Sequence, residues 1–166
     1  KTDKQVNWLA DIIKTIKDLT PTNSKSLGIT LSTGELTYTQ YKKLWEAGAH
    51  RYLLRIETSN EKLFKAIHPP EQSFERRLEC LHILKDLGYQ VGTGIMVGLP
   101  KQTYEDLEQD LQFFKNFGVD MVGLGPYIPH EDTPLGMKTN PLLIADPYTT
   151  TLKMLALTRI IMPNIT

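Results

Sequence analysis

Apolar residues recur along the chain with two alternating spacings, one typical of amphipathic helices and the other of strands buried in a sheet. Helical spacing predicts a first helix over residues 3–19, and a short apolar run predicts a strand over 28–32. Helices and strands then continue to alternate. Further strands are predicted at 52–56, 91–97 and 121–124, and further helices near 38–48, after Asn60, after Ser73, after Thr103 and over 147–161.

Strands that alternate with helices pair in parallel through right-handed crossovers. We therefore predict an α/β fold with about four parallel βα units, which fit part of a (β/α)₈ TIM barrel or a small doubly wound sheet. No Gly-x-Gly-x-x-Gly turn opens a helix, so a dinucleotide site of the doubly wound kind is unsupported. We favour the partial barrel, as a single domain over residues 1–166 that we interpret as an internal segment of a longer protein.

The composition argues against several classes of protein. Nineteen basic residues balance nineteen acidic ones, whereas surfaces that bind nucleic acid or anionic membranes need an excess of Lys and Arg. The single cysteine, Cys80, can form neither an internal disulfide nor, by itself, a metal or iron–sulfur site. The histidines are too scattered for a metal site, and no apolar run is long enough to span a bilayer. We predict a cytoplasmic protein with a small-molecule substrate and with no nucleic acid, membrane or metal-ligand role.

Polar residues gather where the predicted strands end, which is where parallel βα proteins carry their reactive groups. Thr30 and Ser32 share one face of the first strand, where their hydroxyls could bind a polar ligand or each other. Arg55 and Glu57 share a face at the end of an apolar strand, where charges are costly unless they pair or line a polar cavity. Two interpretations stay open for this second pair: a structural ion pair, or two groups that orient a zwitterionic ligand.

The third strand has an unusual density of glycine, which predicts the close approach of a ligand or of another backbone. The fourth strand leads into a long turn over 126–130 whose two prolines keep it extended. Such an apolar and aromatic segment suits a flat heterocycle, but a structural lid is an equally good interpretation. The glycines in question are Gly92, Gly94 and Gly98.

Two arginines, Arg76 and Arg77, stand in the first turn of the helix that follows Ser73. The helix dipole disfavours cations at that end of a helix, by about 0.3–1 kcal/mol each. Their position suggests a purpose, although exposed arginines in a first turn are common.

Five segments, taken in order, resemble the radical S-adenosylmethionine (SAM) superfamily in its biotin-synthase-like branch. Within that branch the chain is most similar to the HydE-type maturases of [FeFe]-hydrogenase, and next to the methylornithine synthases. The resemblance implies that the chain covers the third to sixth strands of a complete barrel. The resembling segments are 45–58, 73–80, 96–100, 120–130 and 152–159.

The resemblance also implies which residues bind the cofactor. Glu57 and Arg77 would contact the aminocarboxypropyl and ribose parts of SAM. Met121 would lie against the bound nucleoside, and the turn at Pro126 and Tyr127 would lie near its adenine. These five residues are the predicted cofactor-binding set.

Three further residues, Thr30, Ser32 and Arg55, would line the inner cavity that holds the substrate. In the intact enzyme, the resemblance implies one-electron reduction of SAM to methionine and a 5′-deoxyadenosyl radical, in the assembly of the hydrogenase cofactor. One departure from the family is large: the Cys-x-x-x-Cys-x-x-Cys loop that holds the [4Fe–4S] cluster is absent, and Cys80 does not belong to it. The cluster ligands would lie outside this chain, which is therefore predicted to be inactive alone.

Other functions remain open at this point. One is a radical mutase similar to methylornithine synthase, and another is a binding module that lacks the cluster. A third is a metal-free barrel lyase, which would need a Schiff-base lysine at a strand end. Lys62, Lys65 and Lys101 lie on predicted helices or turns instead. Because part of a barrel leaves open sheet edges, we also predict that the isolated chain self-associates.

Overall fold

The computed structural model describes residues 1–19, 27–137 and 144–166, in which helices and strands alternate as the apolar spacing predicts. The strands are β1 (Thr30–Leu31), β2 (Arg51–Leu53), β3 (Gln90–Val97) and β4 (Met121–Pro126). The helices are α1 (Asp3–Asp18), α2 (Tyr38–Glu46), α3 (Glu61–Ile67), α4 (Phe74–Asp86), α5 (Tyr104–Phe117) and α6 (Pro147–Ile161). Each predicted element is present, although β1 and β2 are shorter than predicted.

The strands form a sheet in the order β1-β2-β3-β4. β1 pairs in parallel with β2, with Thr30 opposite Arg51, and β2 pairs in parallel with β3, with Arg51 opposite Gln90. Strands that are neighbours in sequence are thus neighbours in the sheet, as successive βα units of a barrel require. The prediction of an α/β fold with parallel strands is confirmed.

The chain divides into two compact units. The first unit consists of Lys1–Leu54 and Glu75–Gly92 and contains α1, α2, most of α4, β1, β2 and the start of β3. The second unit consists of Arg55–Phe74 and Thr93–Thr166 and contains the rest of β3 together with α3, α5, β4 and α6.

The first unit is built around buried tyrosines. Tyr41 of α2 and Tyr52 of β2 are fully buried, and their rings meet edge to face with centroids 5.1 Å apart. Tyr89 is also buried, with its ring centroid 5.8 Å from that of Tyr52. Leu81 and Leu84 of α4 are fully buried as well, so this helix buries the apolar face that its spacing predicts.

The second unit depends on close packing between β3 and β4. A Cβ atom at Gly94 would overlap the carbonyl oxygen of Gly123, so a side chain there would force the two strands apart. The glycine-rich strand had two interpretations, and at Gly94 the approach of another backbone is the correct one. α5 follows the strand and begins after Thr103, as predicted, with Thr103 and Asp106 forming a reciprocal capping box.

Candidate functional site

The turn between β1 and α2, in the first unit, is held by tyrosine hydroxyl groups. Tyr52 Oη donates to the carbonyl oxygen of Gly34 at 2.8 Å and lies 2.7 Å from the hydroxyl of Thr33. Tyr41 Oη donates to the same carbonyl oxygen at 3.2 Å and accepts from the Leu36 N–H at 3.1 Å. Burial raises the pKa of both tyrosines, so these hydroxyls stay protonated. The turn is therefore fixed by neutral hydrogen bonds.

The same turn carries Glu35, which pairs with Arg77 of α4. Arg77 Nε lies 2.6 Å from Glu35 Oε1, and only 12% and 23% of the two side chains are exposed. The neighbouring Arg76 donates to the Leu36 carbonyl oxygen and to the Glu79 carboxylate, each at 2.6 Å. The two arginines that the helix dipole disfavours are thus each bound to acceptors within the first unit.

Thr30 begins β1, and Ser32 directly follows the strand. Both are exposed, whereas Leu31 between them is buried. This alternation puts the two hydroxyls on one side of the strand, as the spacing predicts. Their role in lining a substrate cavity stays a prediction.

The chain that follows β2 carries one extra residue relative to β3. Leu53 lies opposite Gly92 and Glu57 lies opposite Ile95, so four steps along one strand match three along the other. The N–H of Ile56, displaced from the ladder, donates to the Thr93 hydroxyl at 3.1 Å. This bulge is the reason that β2 ends at Leu53 rather than at residue 56. Bulges are common beside active sites, where they redirect a side chain.

Glu57 follows the bulge in a backbone conformation that is rare for a residue with a side chain. Its φ is 64°, in the left-handed region. Its N–H donates to the Gly94 carbonyl oxygen at 2.9 Å, and its carbonyl oxygen accepts from the Met96 N–H at 3.2 Å. Residues held in this region cluster at functional sites, where the surrounding structure fixes them. Among the predicted site residues, Glu57 is the one whose backbone lies in this region.

The predicted pairing of Arg55 with Glu57 is present. Arg55 Nε lies 3.1 Å from Glu57 Oε1, with 35% and 19% of the two side chains exposed. Arg55 Nη2 also donates to the Ile95 carbonyl oxygen at 2.7 Å, which fixes the guanidinium along β3. The ion pair exists, and because both side chains stay partly exposed, the second interpretation, in which they orient a ligand, stays open.

The residues predicted to contact a nucleoside lie on β4 and directly after it. Met121 and Pro126 are the first and last residues of β4, and both are half-buried. The N–H of Tyr127 donates to the Val97 carbonyl oxygen at 2.7 Å, which continues the contact with β3. The Tyr127 hydroxyl is buried and has no hydrogen-bond partner in the part of the chain that the structure describes. A buried hydroxyl of this kind is suited to a polar ligand.

The segment that follows Glu57 is bound to α5 by two carboxylates. Asp110 Oδ1 accepts from the N–H of Ser59 at 2.5 Å and from its hydroxyl at 2.6 Å. Asp106 Oδ1 accepts from the side-chain amide of Asn60 at 2.6 Å. Asp110 is fully buried, and burial raises its pKa to about 7, although the bonds from Ser59 act in the opposite direction.

Sequence reasoning missed Glu35 and Asp110. Asp110 had a readable signal, because it lies on the same face of α5 as Leu107 and Leu111, where a carboxylate is costly without partners. Glu35 had no such signal. Its partner Arg77 is 42 residues away, and no local pattern connects them.

Comparison with known protein families matches residues 5–114 to the Radical SAM superfamily. The chain belongs to this superfamily. It is 49% identical over 156 residues to the [FeFe] hydrogenase maturase subunit HydE of Thermotoga maritima, covering 94% of this chain and 41% of that protein. It is 31% identical over 135 residues to a biotin synthase of Nitrosopumilus maritimus, covering 78% of this chain and 39% of that protein. The predicted family and its biotin-synthase-like branch are confirmed.

Solved structures share the fold of this chain. A crystal structure of methylornithine synthase (PylB) matches with a TM-score of 0.81 at 24% identity, over 98% of this chain and 44% of that one. The chain thus spans about two fifths of the length of the proteins that it matches. The prediction of a partial barrel is confirmed.

Radical SAM enzymes use a [4Fe–4S] cluster, and the residues of this chain do not fit that group. Its single cysteine, Cys80, is fully buried, donates to the Leu36 carbonyl oxygen at 3.6 Å, and has a pKa raised by burial. Over residues 1–19, 27–137 and 144–166, no group of His, Cys, Asp and Glu could hold a metal ion. Among the helices of these same ranges, none is long and apolar enough to cross a membrane.

The residues do fit the other radical SAM cofactor, SAM itself, in their chemistry. The amino-acid end of SAM carries a carboxylate, which a guanidinium can bind, and an ammonium group, which a carboxylate can bind. In the first unit, Arg77 offers a guanidinium whose side chain is 12% exposed. In the second unit, Glu57 offers a carboxylate whose side chain is 19% exposed. Tyr127 adds a buried hydroxyl whose hydrogen bond is not met by any described residue. The roles of these residues stay predictions.

Proposed function

We propose that this chain forms the third to sixth strands of a radical SAM enzyme that acts in the maturation of [FeFe]-hydrogenase. The observation that carries the proposal is the 49% identity to the HydE subunit over 94% of the chain. The left-handed backbone of Glu57 at the end of a bulged strand supports a functional site at that point. We place the enzyme in the cytoplasm, with a small-molecule substrate.

In the proposed site, Arg77 binds the carboxylate of SAM, and Glu57 accepts hydrogen bonds from its ammonium group or its ribose hydroxyls. A guanidinium can bind a carboxylate through two parallel hydrogen bonds. Glu35 holds Arg77 Nε at 2.6 Å and so sets the direction of the guanidinium plane. Arg55 acts on Glu57 in the same way, through its Nε at 3.1 Å.

The nucleoside end of SAM is assigned to β4 and the turn after it. Met121 would pack against the nucleoside, and Pro126 and Tyr127 would lie near the adenine. The support for this assignment is that these residues are half-buried rather than part of the closed core. The buried Tyr127 hydroxyl would gain the partner that no described residue provides.

The substrate cavity is assigned to Thr30, Ser32 and Arg55. Two exposed hydroxyls and a partly exposed guanidinium suit a small polar molecule. When bound and reduced by one electron, SAM supplies methionine and a 5′-deoxyadenosyl radical. The residues of this chain bind and orient the reactants and exclude water, and the cluster ligands belong to a part of the longer protein outside this chain.

The proposal is tested by the affinity for SAM of the longer protein, reconstituted under anaerobic conditions. Removal of a charged hydrogen-bond partner of the ligand is expected to weaken binding about ten- to a hundredfold in Arg77→Ala. Arg76→Ala is the matched control, since Arg76 is adjacent but pairs with the exposed Glu79. It should change the dissociation constant by no more than about twofold. Equal affinities of the two variants in isothermal titration calorimetry would remove the assignment of Arg77.

A further inference from the structure

We infer that Asp110 is a positioning residue for SAM binding: its carboxylate clamps Ser59 and thereby holds Glu57 in its left-handed conformation. The inference rests on the proposed role of Glu57 as a contact of SAM. It adds to that role a residue on α5 that need not touch the ligand.

The clamp itself consists of two short hydrogen bonds to a buried carboxylate. A single oxygen, Asp110 Oδ1, accepts both the backbone N–H of Ser59 at 2.5 Å and its hydroxyl at 2.6 Å. Asp110 is fully buried, so its carboxylate is shielded from water, whereas Ser59 is half-buried. Because one of the two donors is a backbone N–H, the clamp fixes the path of the chain and not only the Ser59 side chain.

The clamp acts two residues beyond Glu57. On the other side of Glu57, the N–H of Ile56 is tied to the Thr93 hydroxyl at 3.1 Å. Glu57 itself is tied through both backbone groups to β3. Between the two anchors lies Thr58, which is fully buried. A backbone fixed before, at and after Glu57 is what keeps a residue with a side chain at a φ of 64°.

The neighbouring carboxylate provides a useful contrast. Asp106 completes the capping box of α5 with Thr103 and also accepts from Asn60, which caps α3. Its contacts are therefore explained by the helix ends. Asp110 caps no helix, and its Oδ2 has no hydrogen-bond partner among the described residues. Burying a carboxylate at this position of α5 is costly, and a leucine would avoid that cost. The hydrogen bonds to Ser59 are the interaction that offsets it.

The experiment measures the dissociation constant of SAM by calorimetry for the longer protein, reconstituted under anaerobic conditions, and for its variants. Asp110→Leu and Ser59→Ala both weaken the clamp. We expect SAM to bind about tenfold more weakly to Asp110→Leu and about threefold more weakly to Ser59→Ala. Asp110→Asn keeps an oxygen acceptor for Ser59 and should stay within about twofold of the wild type. Glu108→Leu, on the exposed side of the same helix, is the matched control.

A double-mutant cycle separates positioning from a general loss of structure. If Asp110 acts through Glu57, then Asp110→Leu should cost little further affinity once Glu57→Gln has been introduced. Additive losses, or wild-type affinity in both Asp110→Leu and Ser59→Ala, would overturn the inference. If Asp110→Leu does not fold, the cycle of Ser59→Ala with Glu57→Gln decides in its place.

The failure of the proposed function has a different signature. In that case Glu57→Gln alone would leave the affinity for SAM unchanged, whatever the Asp110 variants do. Loss of affinity in Glu57→Gln without any loss in the clamp variants would overturn only the role of Asp110.

Discussion

The turns that follow β1 and β2 each present a glutamate paired with an arginine, but they are held in place by different chemistry. Glu35 pairs with Arg77 at 2.6 Å, in a turn fixed by the buried hydroxyls of Tyr41 and Tyr52. Glu57 pairs with Arg55 at 3.1 Å, in a segment fixed by a bulge, a left-handed backbone and buried carboxylates of α5.

The difference lies in what each arrangement requires to stay in place. Tyrosine hydroxyls with raised pKa values do not ionise in the physiological range, so the first turn keeps the same hydrogen bonds at any ordinary pH. The second turn depends on Asp110, whose pKa of about 7 falls within that range. A left-handed backbone and the buried Asp110 thus occur together in the second turn, and we expect this turn to be the more sensitive of the two. Three substitutions test this contrast.

The largest effect is expected where the second turn meets β3. In Gly94→Ala the new methyl group would overlap the Gly123 carbonyl oxygen and displace the strand whose carbonyl oxygen binds the Glu57 N–H. We expect a loss of about 3 kcal/mol or more in the free energy of unfolding, seen as a lower urea midpoint. Gly125→Ala is the control, because nothing lies within 4 Å of its added Cβ. Equal midpoints for the two variants would show that β3 and β4 are not so closely packed.

A smaller effect, and one that depends on pH, is expected at Asp110. Its folded-state pKa of about 7 lies above the ordinary value of 3.8, chiefly because of burial and in part because of the nearby Asp106. The protonated Asp110 carboxyl therefore contributes its full stability below about pH 4. This contribution is lost as the pH rises to about 7 and the buried carboxyl ionises. Asp110→Asn cannot ionise, so its urea midpoint should rise relative to that of the wild type as the pH increases.

We compare the free energy of unfolding of Asp110→Asn with that of the wild type. Between about pH 5 and about pH 8, we expect the difference to increase by roughly 2 kcal/mol in favour of the variant. The measurement is urea unfolding of the wild type and of Asp110→Asn at both pH values. A difference between the two proteins that stays constant with pH would mean that Asp110 does not titrate in this range.

The smallest effect is expected in the first turn. Tyr52→Phe removes the hydroxyl that binds Thr33 and the Gly34 carbonyl oxygen, at a cost of about 1–2 kcal/mol. Because no ionisation is involved, the loss should be the same at about pH 5 and about pH 8. The urea midpoints of Tyr52→Phe and Asp110→Asn, measured at both pH values, check the contrast directly. A loss of stability in Tyr52→Phe that changed with pH would contradict it.

Much of the fold could be predicted from local patterns, since the alternation of helices and strands and the starts of α3 and α5 follow from apolar spacing and capping residues. The extent of β2 could not. Tyr52 to Ile56 reads as a continuous strand, and only the register against β3 reveals the extra residue. The same limit applies to the site: Arg55 and Glu57 could be paired from their spacing, but the left-handed φ of Glu57 depends on contacts that are distant in sequence.

The central claim is that Glu57 and Arg77 both bind the amino-acid and ribose end of SAM. A crystal structure of the longer protein with SAM bound tests it most directly. We predict that the Glu57 carboxylate and the Arg77 guanidinium each lie within hydrogen-bond distance of the ligand, about 2.7–3.2 Å. A bound SAM molecule whose carboxylate, ammonium and ribose groups contact other residues instead would contradict the claim.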